Sequence, residues 1–428
     1  MKHKNLQKIT DLRHELHMYP ELSMQETETA ARLRKFLEDN TGFQVVDRGN
    51  WFYAVRKVKG AKNKIAFRAD MDALPITEDH ALSYHSRNEG VSHKCGHDGH
   101  CAALCGLALE LDGKENDALE LDGKEKDDLE LDRKEKDTDS DIYLIFQPGE
   151  ETGSGAVICR ELIRQEGIAQ IYAFHNLGGY PEGSIVYRSG LTQPASEGLR
   201  ICFEGKTSHA SAPEEGRNPS GAVARVILKA EELTRDQSDG MLLCTITGVS
   251  VGTGDFGISP GSGELSMTLR AEKETKMKEI EEQIIRFAQE EAARCQLQTS
   301  FSIHDYFPET RNNDQCLETV VTAATNLGMN VIQMENLWRA SEDFGWYLKE
   351  CPGAIIYIGS GENYPPLHTV GYDFNDRILA TAVDLFTAIA ENRPLGPLLW
   401  DLWGNLSPVV EMDLKKNLWG TNHPRGPL

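Results

Sequence analysis

Long apolar runs are absent from this chain. No stretch approaches the run of about eighteen apolar residues that spans a bilayer, and Met1-Lys2-His3-Lys4-Asn5-Leu6 holds no apolar signal core, so neither a span nor a signal segment is expected. Positive charge is scarce as well: 45 Lys and Arg face 67 Asp and Glu, a formal charge of -22. Polyanions would be repelled, which argues against nucleic acid or an anionic membrane surface as partner. A disulfide framework is also missing, because the nine cysteines are odd in number and scattered. Thiols that stay reduced point to the cytoplasm. What remains is 39% hydrophobic and 26% charged over 428 residues, a globular chain too long for one ordinary core, so two domains are expected.

Against that background one stretch stands out: His93-Lys94-Cys95-Gly96-His97-Asp98-Gly99-His100. The Ala102-Ala103-Leu104-Cys105-Gly106-Leu107 that follows reads as the buried side of a helix from Asp98 to Leu111, with Asp98 at the N-cap. Cys95 and His97 lie one residue apart just before that helix, so both side chains can enter one pocket. A thiolate beside an imidazole suits a borderline-soft divalent metal, zinc first and manganese second.

The flanking segments supply polar residues at strand ends. Leu6 to Leu37 reads as helix, turn and helix broken near Pro20, and His17 in that turn is expected to support neighbours more than to react. Val45-Val46 and Phe52 to Val55 read as short strands, and Lys64 to Ala69 as a buried one that carries Asp70 and Asp72 to its carboxyl end. Open α/β sheets place their ligand crevice there, and one or both aspartates are expected to hold a metal-ligating histidine through its second nitrogen. The strand Ile142 to Phe146 leads to Glu150 and Glu151. Adjacent carboxylates repel unless a cation lies beside them, so one can ligate while the other accepts and returns a proton. A helix over Gly155 to Gln165 then precedes the strand Gln170 to Phe174, which delivers His175 to the same rim.

One segment breaks the pattern. Leu109-Glu110-Leu111-Asp112-Gly113-Lys114-Glu115 recurs from Leu119 and, with Arg133 for the Gly, from Leu129. Ten residues turn an α-helix by about 1000°, roughly 80° short of whole turns, so the repeated Leu pairs cannot share one face. We read about 109–138 as a tandem expansion in a surface connection.

From Leu199 to Ile303 the order is strand, helix, strand, strand, helix, strand, a small α+β module whose open sheet suits edge-to-edge pairing with a second copy. His209 sits in a loop of small residues within it. The chain then returns to helices and strands: Arg339 to Trp346 reads as a helix with an acidic amino end, Ile355 to Ile358 as a strand, and Asp376 to Glu391 as a final helix. The tail from 394 to 428, with Trp400, Trp403 and Trp419, has no assignment.

Arg68 to Pro75, His93 to His100, Gln147 to Glu151, Gly205 to Pro213, Ser341 to Phe344 and Leu367 to Asp376 together resemble the aminoacylase and carboxypeptidase family of dinuclear metallo-amidohydrolases, which includes hippurate hydrolase, auxin-conjugate hydrolases and acetyl-diaminopimelate deacetylase. The resemblance implies an α/β fold: a zinc-exopeptidase-like catalytic domain with a mixed central sheet, formed by residues 1–190 and 305–393, and an inserted α+β dimerisation or lid domain over 191–304. It implies two divalent ions, zinc or manganese, bridged by Cys95 and completed by His97, Glu151, His175 and His368. Glu150 would be the general base, and His209 would cross a homodimer to stabilise the oxyanion in the neighbouring site. Arg270 falls where relatives hold the substrate carboxylate. The implied reaction is hydrolysis of N-acyl amino acids or related small amides, with a dipeptidase or carboxypeptidase as the rival reading and an inactive metal-binding relative as the third. Two positions depart from the family: Gly257 stands where relatives commonly place a lid Asn, and Val370 follows His368-Thr369 where many have Pro.

Overall fold

The computed structural model describes residues 1–79, 82–119 and 140–391. Most of the second and third decapeptide units lie outside those residues, as does the tail from 392 onward with its three tryptophans.

Two amphipathic helices, α1 (His3–Met18) and α2 (Thr27–Asn40), part at Pro20 and bury Ile9, Leu12, Leu16, Leu33 and Leu37. After β1 (Gln44–Asp47), β2 (Phe52–Arg56) and β3 (Asn63–Asp70) comes α3 (His97–Leu119), which starts one residue before the expected cap. It also runs through the first decapeptide unit, whose Leu109 and Leu111 are buried in the core. Next are β4 (Ser140–Gln147), α4 (Ala156–Cys159), α5 (Glu161–Glu166) and β5 (Gln170–Gly178), so the single helix expected over Gly155 to Gln165 is two short pieces meeting at Arg160. Every residue of β4 is buried, as a strand covered on both faces requires.

The chain continues with β6 (Ile185–Tyr187), β7 (Gly190–Gln193), β8 (Ala195–Glu204), β9 (Ser208–His209), α6 (Ser220–Leu233), β10 (Leu242–Val251), β11 (Ile258–Ser259), β12 (Ser262–Ala271), α7 (Glu274–Arg294) and β13 (Gln298–Phe307). It closes with β14 (Thr310–Asn312), α8 (Asp314–Asn326), β15 (Val331–Gln333), α9 (Gly345–Leu348), β16 (Gly353–Gly361) and α10 (Leu379–Ala390).

Two sheets carry the fold, which is mixed α/β. The larger has eight strands in the order β1-β2-β4-β3-β5-β16-β6-β15. Its central strands β4, β3, β5 and β16 are parallel neighbours, so their carboxyl ends emerge along one rim. Helices α1, α3 and α10 seal one face, where Ile9, Leu104, Phe67 and Phe386 belong to one core. The smaller sheet is antiparallel, β10-β12-β8-β13, and has its own core. Along α7, Met277, Ile280, Ile284 and Ala288 recur at helical spacing and close one face of that sheet, each large apolar side chain contributing about 1.5–3 kcal/mol by burial. The other face of the smaller sheet stays open, with Arg200 and Glu264 exposed on it. The segment from Ser341 to Phe344 is a turn and not the acidic start of a helix; only Gly345–Leu348 is helical.

Candidate metal centre

The parallel strand ends bring the polar residues of four separate segments together. Cys95 Sγ lies 3.3 Å from His175 Nε2 and 3.3 Å from His368 Nε2. Glu151 Oε1 lies 3.5 Å from His368 Nε2 and 3.8 Å from His97 Nε2. Two groups follow, Cys95 with His97 and His175, and Cys95 with Glu151 and His368; within each, the candidate ligand atoms fall inside 4.8 Å of one another. Cys95 belongs to both.

Local backbone makes this possible. Gly96 has φ +113 and a Cβ there would meet Asn176 Oδ1 at 2.3 Å, so only glycine lets Cys95 and His97 turn inward together. His368 is itself held at φ +59, with its N–H donating to Lys94 O at 2.8 Å. That anchor stands although Val370 replaces the family's proline.

In His97 and His175 the second ring nitrogen is occupied. His97 Nδ1 faces the carbonyl of Asp72 at 2.9 Å and its carboxylate at 3.2 Å, while His175 Nδ1 donates to Asn176 O at 2.8 Å. Those partners place the proton on Nδ1 and free the Nε2 lone pair for an ion. Asp72 therefore plays the supporting part expected of it, and also accepts from Ser23 Oγ and the Glu151 N–H. Asp70 does something else: its Oδ1 meets His100 Nδ1 at 2.6 Å, and His100 Nε2 meets Asn176 Oδ1 at 2.7 Å. Both nitrogens of His100 are thus taken. Asp98 lies in the first turn of α3 and turns to His17 Nδ1 at 2.8 Å, while His17 Nε2 reaches Glu78 at 2.9 Å. His17 is a supporting residue whose pKa, despite burial, is raised by the two carboxylates to about 9.

A charged layer that the sequence did not disclose lies behind the cluster. Arg68, buried in β3, donates to Asp70, Glu342 and Asp343 at 2.7, 2.9 and 2.7 Å and through Nε to Gln147. The acidic pair expected to open a helix is instead clamped on this guanidinium. A charged residue inside the otherwise apolar stretch from Ile65 to Ala69 was the signal available.

Electrostatics at the rim favour a bound cation. Burial, then Glu151 and Glu150, push the Cys95 thiol well above its ordinary pKa. Burial, with Glu342 and Glu151 nearby, likewise lifts Glu150 well above the usual carboxylate range. Opposing its own burial, the neighbouring Asp70 and Asp72 raise His97 to about 10. Among the buried side-chain atoms with no hydrogen-bond partner are His97 Nε2 and Glu151 Oε1, which lie 3.8 Å apart within the cluster. Buried polar atoms ordinarily have partners, so their chemistry fits ligands awaiting divalent ions.

The cluster opens into a cavity of 490 Å³ between the two sheets. Arg270 lines it and donates to Arg339 O; Trp338 lies edge-on to the His175 ring, with centroids 5.1 Å apart. Asp305 also lines it, a residue not singled out from the sequence. His209 does not reach this cavity within one chain: it is exposed on β9, with Nδ1 2.7 Å from Ser211 Oγ. Gly257 lies beside it, its carbonyl accepting from Ala210 N and its N–H donating to Asp255. A larger cavity of 750 Å³ lies between α7 and α9, lined by Glu274, Lys278 and Lys349 among others, but by no histidine or cysteine. All nine cysteines are free thiols, and among the described residues no helix is long and apolar enough to cross a membrane.

Comparison with known proteins agrees with this geometry. The chain is 28% identical over 388 residues to an N-acetylcysteine deacetylase of Bacillus subtilis, covering 90% of this chain and 96% of that protein. It is 30% identical over 369 residues to thermostable carboxypeptidase 1 of Saccharolobus solfataricus, covering 82% and 86%. A crystal structure of a dinuclear metal-binding M20-family peptidase of Bacillus subtilis superposes with a TM-score of 0.74 at 26% identity, over 91% of this chain and 98% of that one. The profile of peptidase family M20/M25/M40 matches residues 66–120 and 129–392, interrupted only within the decapeptide block. The chain belongs to that family and is a metal-dependent amidohydrolase.

Proposed function

We propose that this enzyme hydrolyses the amide bond of N-acyl amino acids, and that Cys95, His97, Glu151, His175 and His368 would hold two divalent ions, zinc or manganese. The observation that carries the reading is the pair of partnerless buried atoms, His97 Nε2 and Glu151 Oε1, converging beside Glu150. The ions, when bound, supply Lewis acidity that polarises the amide carbonyl and makes water acidic enough to attack near neutral pH. Glu150 takes the proton from the attacking water and returns it to the departing nitrogen. Its burial among carboxylates favours the protonated form that the second half of this cycle needs. Arg270 receives the substrate carboxylate, and His209 of a second subunit donates to the developing oxyanion.

A homodimer fits this scheme because β10 is an edge strand of the smaller sheet and carries the exposed Leu243 and Val249. In this reading residues 1–190 and 305–393 are catalytic and 191–304 form the dimerisation unit. A thiolate ligand among nine free cysteines suits a reducing cytoplasm.

The carboxypeptidase among the relatives favours a second reading, cleavage of small unblocked peptides. A panel of acyl-amino acids and dipeptides, assayed for released amine after loading with zinc or manganese, separates the two. Elemental analysis should return about two ions per chain, and Glu150→Gln should keep them while losing about 10²–10⁴ in kcat. Equal turnover by that variant and the parent would remove Glu150 as the base.

A further inference from the structure

Strand β13 does not pair evenly with β8. His304 pairs with Gly198 and Phe307 with Ser196, so Asp305 and Tyr306 together face the single residue Glu197. This is a β-bulge, and Asp305 takes φ +47 in it, the left-handed region that favours glycine. Bulges beside sites re-aim a side chain, and here Asp305, an exposed residue, is among those lining the candidate cavity. The bulge is also pinned. Gly153, at the end of the turn that carries Glu150 and Glu151, packs so tightly on Tyr306 that a Cβ there would lie 2.5 Å from Tyr306 O.

The cavity's charges are then arranged in a sequence. Arg270 on β12 pairs with Ser196 of β8, and the bulge lies on the opposite side of the same strand. Asp305 and Arg270 thus flank β8 at two strand spacings, about 10 Å. Arg270 is the sole Lys or Arg among the described residues lining the cavity, and it points its guanidinium to Arg339 O. No described cation lies within ion-pair distance of the Asp305 carboxylate, whereas most other acids near the cavity have one or a histidine.

We propose that Asp305 is a specificity-determining residue that receives a cationic group on the substrate while Arg270 receives its carboxylate. The preferred substrates are N-acyl amino acids whose side chain ends in an ammonium or guanidinium. This rests on the amidohydrolase reading above and narrows it. Such a substrate would present its carboxylate to Arg270 and its cationic end to Asp305, on the two sides of β8. Strain at Asp305 is tolerated because aspartate and asparagine enter the left-handed region more readily than other side chains.

The test uses the metal-loaded protein and a pair of substrates differing by one charge, Nα-acetyl-lysine and Nα-acetyl-norleucine. The parent should favour the lysine derivative by about fivefold or more in kcat/KM, mainly through KM, with the preference shrinking at high salt. Asp305→Asn keeps the bulge-compatible backbone and should bring the ratio to about one, and Asp305→Lys should carry it below one and favour Nα-acetyl-glutamate. A parental ratio near one, or an Asp305→Asn ratio equal to the parent's, overturns the proposal and leaves the amidohydrolase reading intact. Should the loaded enzyme cleave neither acyl-amino acids nor dipeptides, that reading fails first. Calorimetric titration with lysine and norleucine then decides Asp305 alone: tighter lysine binding lost in Asp305→Asn supports it, and equal binding of the two overturns it.

Discussion

The two sheets meet the candidate cavity in opposite ways. At the rim of the eight-stranded sheet most of the side chains are buried and held by partners: Asp72 on His97, the Asn176 carbonyl on His175, and Arg68 on Asp70, Glu342 and Asp343. The four-stranded sheet is sealed by helices on one face only and meets the cavity with Thr268, Arg270 and Asp305 from its open face. Chemistry that needs fixed distances sits where packing is dense on both sides of a sheet. In the proposed scheme, recognition falls to side chains that can change without disturbing a core, so substitutions on the smaller sheet can alter specificity while the larger sheet is left intact.

That contrast predicts effects of different size and kind. The largest belongs to Arg68. Replacing it with Met leaves Asp70, Glu342 and Asp343 buried around an apolar side chain and should cost on the order of 3–5 kcal/mol, read as a lowered midpoint in urea unfolding. A loss below about 1 kcal/mol would mean that the clamp is dispensable and the contrast overstated.

His209 should behave in the opposite manner. His209→Asn alters an exposed residue, so its unfolding midpoint should stay close to the parent's while kcat falls about 10²–10³-fold. If the residue serves the neighbouring subunit, co-expression of His209→Asn with Glu150→Gln should restore about a quarter of parental activity. Half of randomly paired dimers are then mixed, and each mixed dimer retains one intact site. No recovery from stable mixed dimers would place His209 outside the neighbouring site.

The smallest effect depends on pH. The His17 pKa rises from 6.5 to about 9 on folding, because Asp98 and Glu78 hold its charged form against the cost of burial. A group raised in this way stabilises the fold fully below pH 6.5 and loses that contribution as pH climbs through 9. His17→Gln should therefore lower stability by up to about 3 kcal/mol at pH 6 and by much less at pH 10. A deficit independent of pH would assign His17 a packing role only.

Much of the candidate cluster was legible in the sequence, for a physical reason. The proposed ligation and proton transfer need particular atoms, so Cys95 and His97 appear as unusual residues at the start of an apolar helix, and Glu150, Glu151 and His175 at or just beyond the ends of apolar strands. The inserted module was legible through hydrophobic period alone, and the helix Glu274–Arg294 matches its expected span. Less legible were contacts between segments far apart in the chain. Glu342 and Asp343 looked like the acidic start of a helix because that pattern is locally sound; remote partners turn them inward, Arg68, 274 residues from Glu342, and for Asp343 also Gln147 and the Ala156 N–H. Asp305 gave no signal either, since a bulge depends on pairing with another strand.

The amino-acid order by itself determined which residues can do chemistry here, because donor atoms, glycine at a left-handed turn and apolar periodicity are properties of short stretches. Tertiary structure decided which of those residues meet, which histidine nitrogen is left free, and which carboxylates are neutralised from within. Those outcomes follow from strand order and burial, which bring remote segments within a few ångströms and remove the water that would otherwise have satisfied them.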